Sequence, residues 1–155
     1  KIAGMAEIEA AYAEGRYAEI IGPLEQLAAQ NDLDAALMLG IMLDNGQGGP
    51  AQPERAAGLM MRAAEGGLAL AQHRVAIMYY QGRGIAKDDV RAMMWLHIAV
   101  AKYPPGPAHD RAVSDRNNLD AGMARRDRET ALFMAKEWLQ KRGEGHLLDA
   151  DTATP

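Results

Sequence analysis

The sequence predicts an all-α chain built as a solenoid of antiparallel helical hairpins. Composition is the first observation. Of 155 residues 48% are hydrophobic and only 5% aromatic, with ten Met and many Ala, residues that favour helices over strands. The second is an internal repeat. Sliding the chain by 36 residues lays Ala35–Glu65 on Ala71–Ala101 without a gap. The third is punctuation, since each copy places two glycines, Gly46 and Gly48 or Gly82 and Gly84, between two helix-period stretches.

The first helix is expected at about 3–14 and ends at the tight turn Gly15-Arg16-Tyr17. Its partner follows, because Ile20, Leu24 and Leu27 fall 36 residues before Ala56, Met60 and Ala63. This opening unit lacks four loop residues, as suits a terminal unit with only one neighbour. In the next unit, Leu33, Ala36, Leu39, Gly40 and Leu43 form a 3–4 spaced stripe, the mark of one buried helix face over 33–45. The equivalent helix of the following copy spans 69–81. Gly46 and Gly82 stand just past these helices, where a left-handed cap residue is wanted. Gln52-Pro53 opens the second helix of one unit, about 53–65, and Asp88 caps that of the next, about 88–101. Ala56, Ala63, Ala92 and Ala99 let neighbouring helices approach closely. Pro104-Pro105-Gly106-Pro107 breaks the pattern. Two further helices are expected at about 108–122 and 126–142, the second with Ala131, Met134, Ala135 and Trp138 on one stripe. This pair reads as a hairpin over the open end of the last repeat. One domain thus covers 1–142, divided into a partial repeat at 3–32, repeats at 33–68 and 69–103, and a capping hairpin at 108–142. Residues 143–155 are expected to form a flexible tail.

Gly82-Arg83-Gly84-Ile85-Ala86-Lys87-Asp88, followed by Ala92 and Trp95, resembles the Sel-like repeat signature G-x-G-V-x-x-D-x-x-x-A-x-x-W. The earlier copy keeps Gly46, Gly48 and Ala56, and its Ala63-Ala64-Glu65-Gly66-Gly67 is similar to the link between such repeats. It departs where Gly49 replaces the loop hydrophobe, Gln52 the Asp and Leu59 the Trp. The resemblance implies the Sel-like branch of the tetratricopeptide superfamily, a right-handed α-α superhelix whose first helices line a concave face. It also implies an adaptor, scaffold or regulator that binds proteins without catalysing a reaction. The bacterial periplasm or export is the compartment it favours, with the cytoplasm open. A chain that begins on Lys1 fits either a trimmed piece of a longer protein or a mature form whose leader was removed, and neither fixes the compartment.

The residues themselves exclude several chemistries. There is no Cys, hence no disulfide, thiol nucleophile or Cys metal site. A net charge of −4 leaves no basic stripe for phosphates, so no nucleic-acid partner is expected. No apolar run approaches the roughly 18 residues of a membrane helix. His73, His97, His109 and His146 lie on separate elements or in the tail, without metal spacing. Ser114, the one serine, has no nucleophile context. The glycine pairs follow helices rather than strands, so they read as loop geometry and no cofactor is expected. Asp88 and Asp89 sit at a helix start, where the helix dipole favours acids. Met60 and Met78 fall on buried stripes, and Trp95 and Trp138 read as core anchors.

What remains is shape. By the tetratricopeptide pattern, Leu37, Ile41, Asp44 and Asn45, with His73, Ile77, Tyr80 and Gln81 of the next unit, face a concave groove, and Glu9 and Tyr12 extend it. Apolar centres ringed by polar side chains suit a peptide or helix of a protein partner. A second copy of the chain is one possible occupant. The rival class is an envelope polymer-binding or hydrolytic protein acting on cell-wall material.

Overall fold

The computed structural model describes residues 4–151. Within them the chain is helical throughout: α1 (Met5–Ala13), a 3-10 turn (Tyr17–Glu19), α2 (Ile21–Ala29), α3 (Leu33–Asn45), α4 (Pro53–Glu65), α5 (Ala69–Gln81), α6 (Asp89–Lys102), α7 (Pro107–Ala121), α8 (Arg125–Lys141) and α9 (His146–Asp151). No strand occurs among the described residues. The helices of the two full repeats begin and end within a residue of the expected bounds. The expected first helix reached back to Ala3, which lies outside the described residues.

Local chemistry sets these boundaries. Asp32 accepts a hydrogen bond from the Ala35 amide at 3.0 Å and so caps α3. Asp88 does the same for α6 through the Arg91 amide, also at 3.0 Å. Pro53 starts α4, where its missing N–H costs nothing. Gly46 and Gly82 end α3 and α5 at φ +68° and +66°, the left-handed region that a β-carbon disfavours. The amides of Gln47 and Arg83 then close onto the Met42 and Met78 carbonyls, giving the two loops one geometry.

Packing repeats as well. The tightest helix pairs are α3 with α4 and α5 with α6, and α4 then packs on α5. The core is continuous: Leu24, Leu39, Met42, Met60, Val75, Leu96 and Ile98 are almost wholly buried. Met42, Met93 and Met94 fill this core with Met60 and Met78, whereas Met61 is half-buried at its edge. Trp95 is 4% exposed and meets Trp138 edge-on, with ring centroids 5.5 Å apart.

Successive units are locked by their loops. The Arg83 guanidinium donates to the Asp44 carboxylate at 2.6 Å and to the Asp44 carbonyl at 2.9 Å. One unit earlier, Tyr12 donates to Gln47 at 3.2 Å. The pairings are equivalent: Gln47 stands 36 residues before Arg83, and Tyr12 follows Ile8 as Asp44 follows Gly40. Gly84, at φ +73°, rests against the start of α4. A β-carbon there would come within 2.2 Å of the Pro53 carbonyl oxygen.

The C-terminal region differs from expectation in two ways. First, α7 and α8 do not form a closed hairpin. Each packs mainly on α6, and between themselves they are joined at the Arg128 to Asp120 ion pair, 3.4 Å. Ala112, the one wholly buried residue of α7, stands 36 residues after the buried Ala76 of α5. α7 is therefore laid down like the first helix of another unit, while α8 covers the outer side of α6. Second, the stretch expected to be a frayed tail from residue 143 contains α9, and Leu148 is buried against the core. A six-residue helix is too short to show a periodicity, and one buried leucine supplies its anchor. Lys102, at the end of α6, donates to Glu144 and fixes the approach to α9. Residues 152–155 of the expected tail lie outside the described residues.

Candidate partner-binding groove

Stacked repeats bring α1, α3, α5 and α7 side by side, and their outer faces form a trough of three joined hollows. The first is lined by Met5, Glu9 and Tyr12 of α1, Asp34, Leu37 and Ile41 of α3, and Leu70 and Arg74 of α5. The middle hollow encloses about 260 Å³ between α3, α5, α7 and Tyr103. Leu70 and Arg74 border it on one side and Ile77 and Asp115 on the other. The third hollow, between α5 and α7, holds Ile77, Tyr80, Leu96, Asn118 and Leu119.

Seven of the eight residues assigned to the groove line these hollows. Leu37 and Ile41 flank the first. Asp44, His73, Ile77 and Gln81 line the middle, and Tyr80 the third. Asn45 does not: it lies exposed at the end of α3, where its amide reaches only Gln47 at 3.5 Å. Glu9 and Tyr12 do extend the first hollow.

His73 lines the middle hollow from its floor and, at 7% exposed, is largely shielded from solvent. Its Nε2 lies 2.7 Å from an Asp115 carboxylate oxygen on α7, and its Nδ1 lies 3.3 Å from the Tyr103 hydroxyl. The tautomer with Nε2–H donating to Asp115 leaves Nδ1 to accept from Tyr103. The cluster thus ties α5 to α7 across 42 residues of sequence. Burial pushes the Tyr103 hydroxyl above its ordinary pKa, while the positive Arg74 and Arg111 pull it down.

Sequence reasoning missed Leu70, Arg74, Tyr103, Arg111 and Asp115. Part of that was within reach, because Leu70, Arg74, Ile77 and Gln81 follow 4–3–4 spacing along one face of α5. The contribution of α7 had no such signal, since only the superhelix brings it beside α5.

The hollows are mainly apolar with a few charged groups, an arrangement that serves recognition. No cluster of three His, Asp or Glu able to hold a metal exists among the described residues. Ser114 is exposed on α7. No described helix is long and apolar enough to cross a membrane.

The Sel1 repeat family pattern matches residues 33–68 and 69–102, the two units with the glycine loop. No curated protein matches the chain in sequence. Among solved structures, it is similar to a protective antigen present in uropathogenic Escherichia coli strains, which displays an SLR fold. That likeness has a TM-score of 0.75 at 22% identity, over 89% of this chain and 29% of the antigen. It is also similar to a Sel1 repeat protein from Oxalobacter formigenes, with a TM-score of 0.58 at 25% identity, over 76% of this chain and 34% of that one. The chain therefore spans about a third of the length of these relatives. This chain thus carries two Sel1 repeats, at 33–68 and 69–102, within a helical superhelix that has the SLR fold.

Proposed function

We propose that the trough is the binding face of a non-enzymatic protein-interaction module, an adaptor that holds a peptide or helix of a partner protein. One observation carries this reading. Leu37, Ile41 and Ile77 are only half-buried, and along the same face Leu70 is 41% and Tyr80 49% exposed. Aliphatic side chains gathered on one concave face, rimmed by Asp, Arg and Gln, have the make-up of an interface. The two Sel1 repeats, a kind of unit that generally serves protein interaction, support the same reading.

The test is the double variant Ile41→Glu with Ile77→Glu, combined with a photo-crosslinking residue at Leu70 in the native host. The expected outcome is a partner adduct that disappears in the double variant, while circular dichroism and urea unfolding stay unchanged. An adduct containing two copies of the chain would identify self-association through the same face. Adducts that persist in the double variant would place the interaction elsewhere. Unfolding of the variant would show that these side chains are core.

A further inference from the structure

The middle hollow carries a charge pattern that the groove's apolar floor does not require. Four of its ionisable side chains are two acids and two arginines, and the acids are already engaged. Asp44 accepts from Arg83, and Asp115 pairs with His73. Arg74 and Arg111 pair with no described carboxylate, and the Nε of Arg74 is buried without a hydrogen-bond partner. Both guanidiniums lie close enough to Tyr103 to act on its hydroxyl. A chain of net charge −4 thus places two arginines without an ion-pair partner over one apolar pocket, where Asp44 is matched by Arg83 and Asp115 is the one remaining negative charge.

We propose that the middle hollow takes an acidic side chain of the bound peptide, an Asp or Glu held by Arg74 and Arg111, with an aliphatic neighbour seated against Ile77. This rests on the reading of the trough as a protein-binding face and specifies the partner's chemistry. At about 260 Å³ the middle hollow has room for side chains of a longer segment. The hollow also opens into its neighbours at both ends, through Leu70 with Arg74 and through Ile77 with Asp115. A segment lying along the trough therefore passes through this point, and the carboxylate it offers is a side chain rather than a chain terminus. Guanidinium forks pair with carboxylates through two parallel hydrogen bonds, and they do so most strongly where water is partly excluded.

The experiment selects peptides from a random 12-residue display library on the intact chain and measures the affinity of the winners by fluorescence anisotropy. The expected result is enrichment of Asp or Glu beside Leu, Ile or Val. Arg74→Gln with Arg111→Gln should weaken binding about ten-fold or more. Arg74→Lys with Arg111→Lys should keep part of the affinity, and Arg125→Gln on the exposed start of α8 should change nothing. Circular dichroism of each variant separates lost binding from lost fold. Peptides without acidic enrichment that bind the Gln variant normally, yet are lost with Ile41→Glu and Ile77→Glu, would overturn the carboxylate site and leave the groove standing. Peptides indifferent to both pairs of substitutions, or no enriched peptide at all, would overturn both.

Discussion

Replacing Gly84 by Ala is predicted to destabilise the chain far more than replacing Gly82, although both glycines are left-handed. At Gly82, φ is +66° and an added β-carbon would meet the Lys87 β-carbon at 3.2 Å, a neighbour on the same loop that can give slightly. The cost is then mostly conformational, about 1–2 kcal/mol for an L-residue in the left-handed region. At Gly84, φ is +73°, and the new atom would lie 2.2 Å from the Pro53 carbonyl oxygen, 2.5 Å from its carbon and 3.1 Å from the Glu54 nitrogen. Real β-carbons essentially never come within 3.0 Å of such atoms. These are backbone atoms at the start of α4, so no rotamer change relieves the contact. The loop must lift, which adds an overpacking cost of about 1–3 kcal/mol. Lifting also breaks the Arg83 to Asp44 bonds at 2.6 and 2.9 Å, which contribute at most about 1 kcal/mol because Arg83 is well exposed to solvent. Gly84→Ala should therefore cost about 3–5 kcal/mol against about 1–2 for Gly82→Ala. In a chain of this length that gap, about 1–4 kcal/mol, corresponds to roughly 2–16 °C in melting temperature. Urea unfolding of both variants measures it. Equal stabilities would refute the close seating of the loop on α4 as a source of stability.

Two further outcomes test the C-terminal part of the fold. Trp95→Ala removes a side chain that is 4% exposed and packed on Trp138, and should cost about 3–5 kcal/mol in urea unfolding; a loss below about 1 kcal/mol would mean the ring is not a core anchor. The Glu144 carboxyl is held below its ordinary pKa, first by its hydrogen bond with Lys102 and then by Arg142. A depressed folded pKa stabilises the chain above the unfolded value, about 4.3, and that contribution fades as pH falls through the folded value. Glu144→Gln should thus lower the melting temperature at neutral pH, and the difference from wild type should vanish in acid. A difference that is constant with pH would rule out the ion pair as its origin.

The two glycine-loop units were legible almost residue by residue, for a physical reason. Their helix stripes, caps and loop glycines are local features, and the 36-residue offset shows each of them twice. Asp32 as the cap of α3 was available on the same grounds, three residues before the Ala35 amide it accepts from. The positions of Leu37, Ile41, Ile77 and Tyr80 on the trough also follow from the repeat, because a helix face is fixed by spacing. The burial of His73 within the trough had no local signal, because its environment is made by α7, whose Asp115 lies 42 residues away and reaches it only through the superhelix. The two arginines share this origin. Their lack of partners depends on which acids other elements have already claimed, which no local pattern records. Asn45 fell off the trough because α3 ends there and Gly46 turns the chain away. The anchoring of α9 through Leu148 was hidden for a different reason, since one buried leucine in a short polar segment has no period to reveal it.

The loops give the solenoid a direction. Gly84 rests on Pro53 of the preceding unit, and Gly48 in turn lies against Tyr17 and Ile21 of the unit before that. Each loop is completed by a surface that only its predecessor supplies, so the second helix of one unit acts as a template for the loop of the next. Disturbance at the amino-terminal end is therefore passed forward, whereas an injury near α8 leaves the earlier seats intact. Amide hydrogen exchange would record this as protection in the Gly82–Lys87 loop that drops when the start of α4 is loosened, whereas loosening α8 leaves the Gly46–Gly49 loop protected. The units behave as a chain of nearest-neighbour couplings with unequal ends rather than as interchangeable beads.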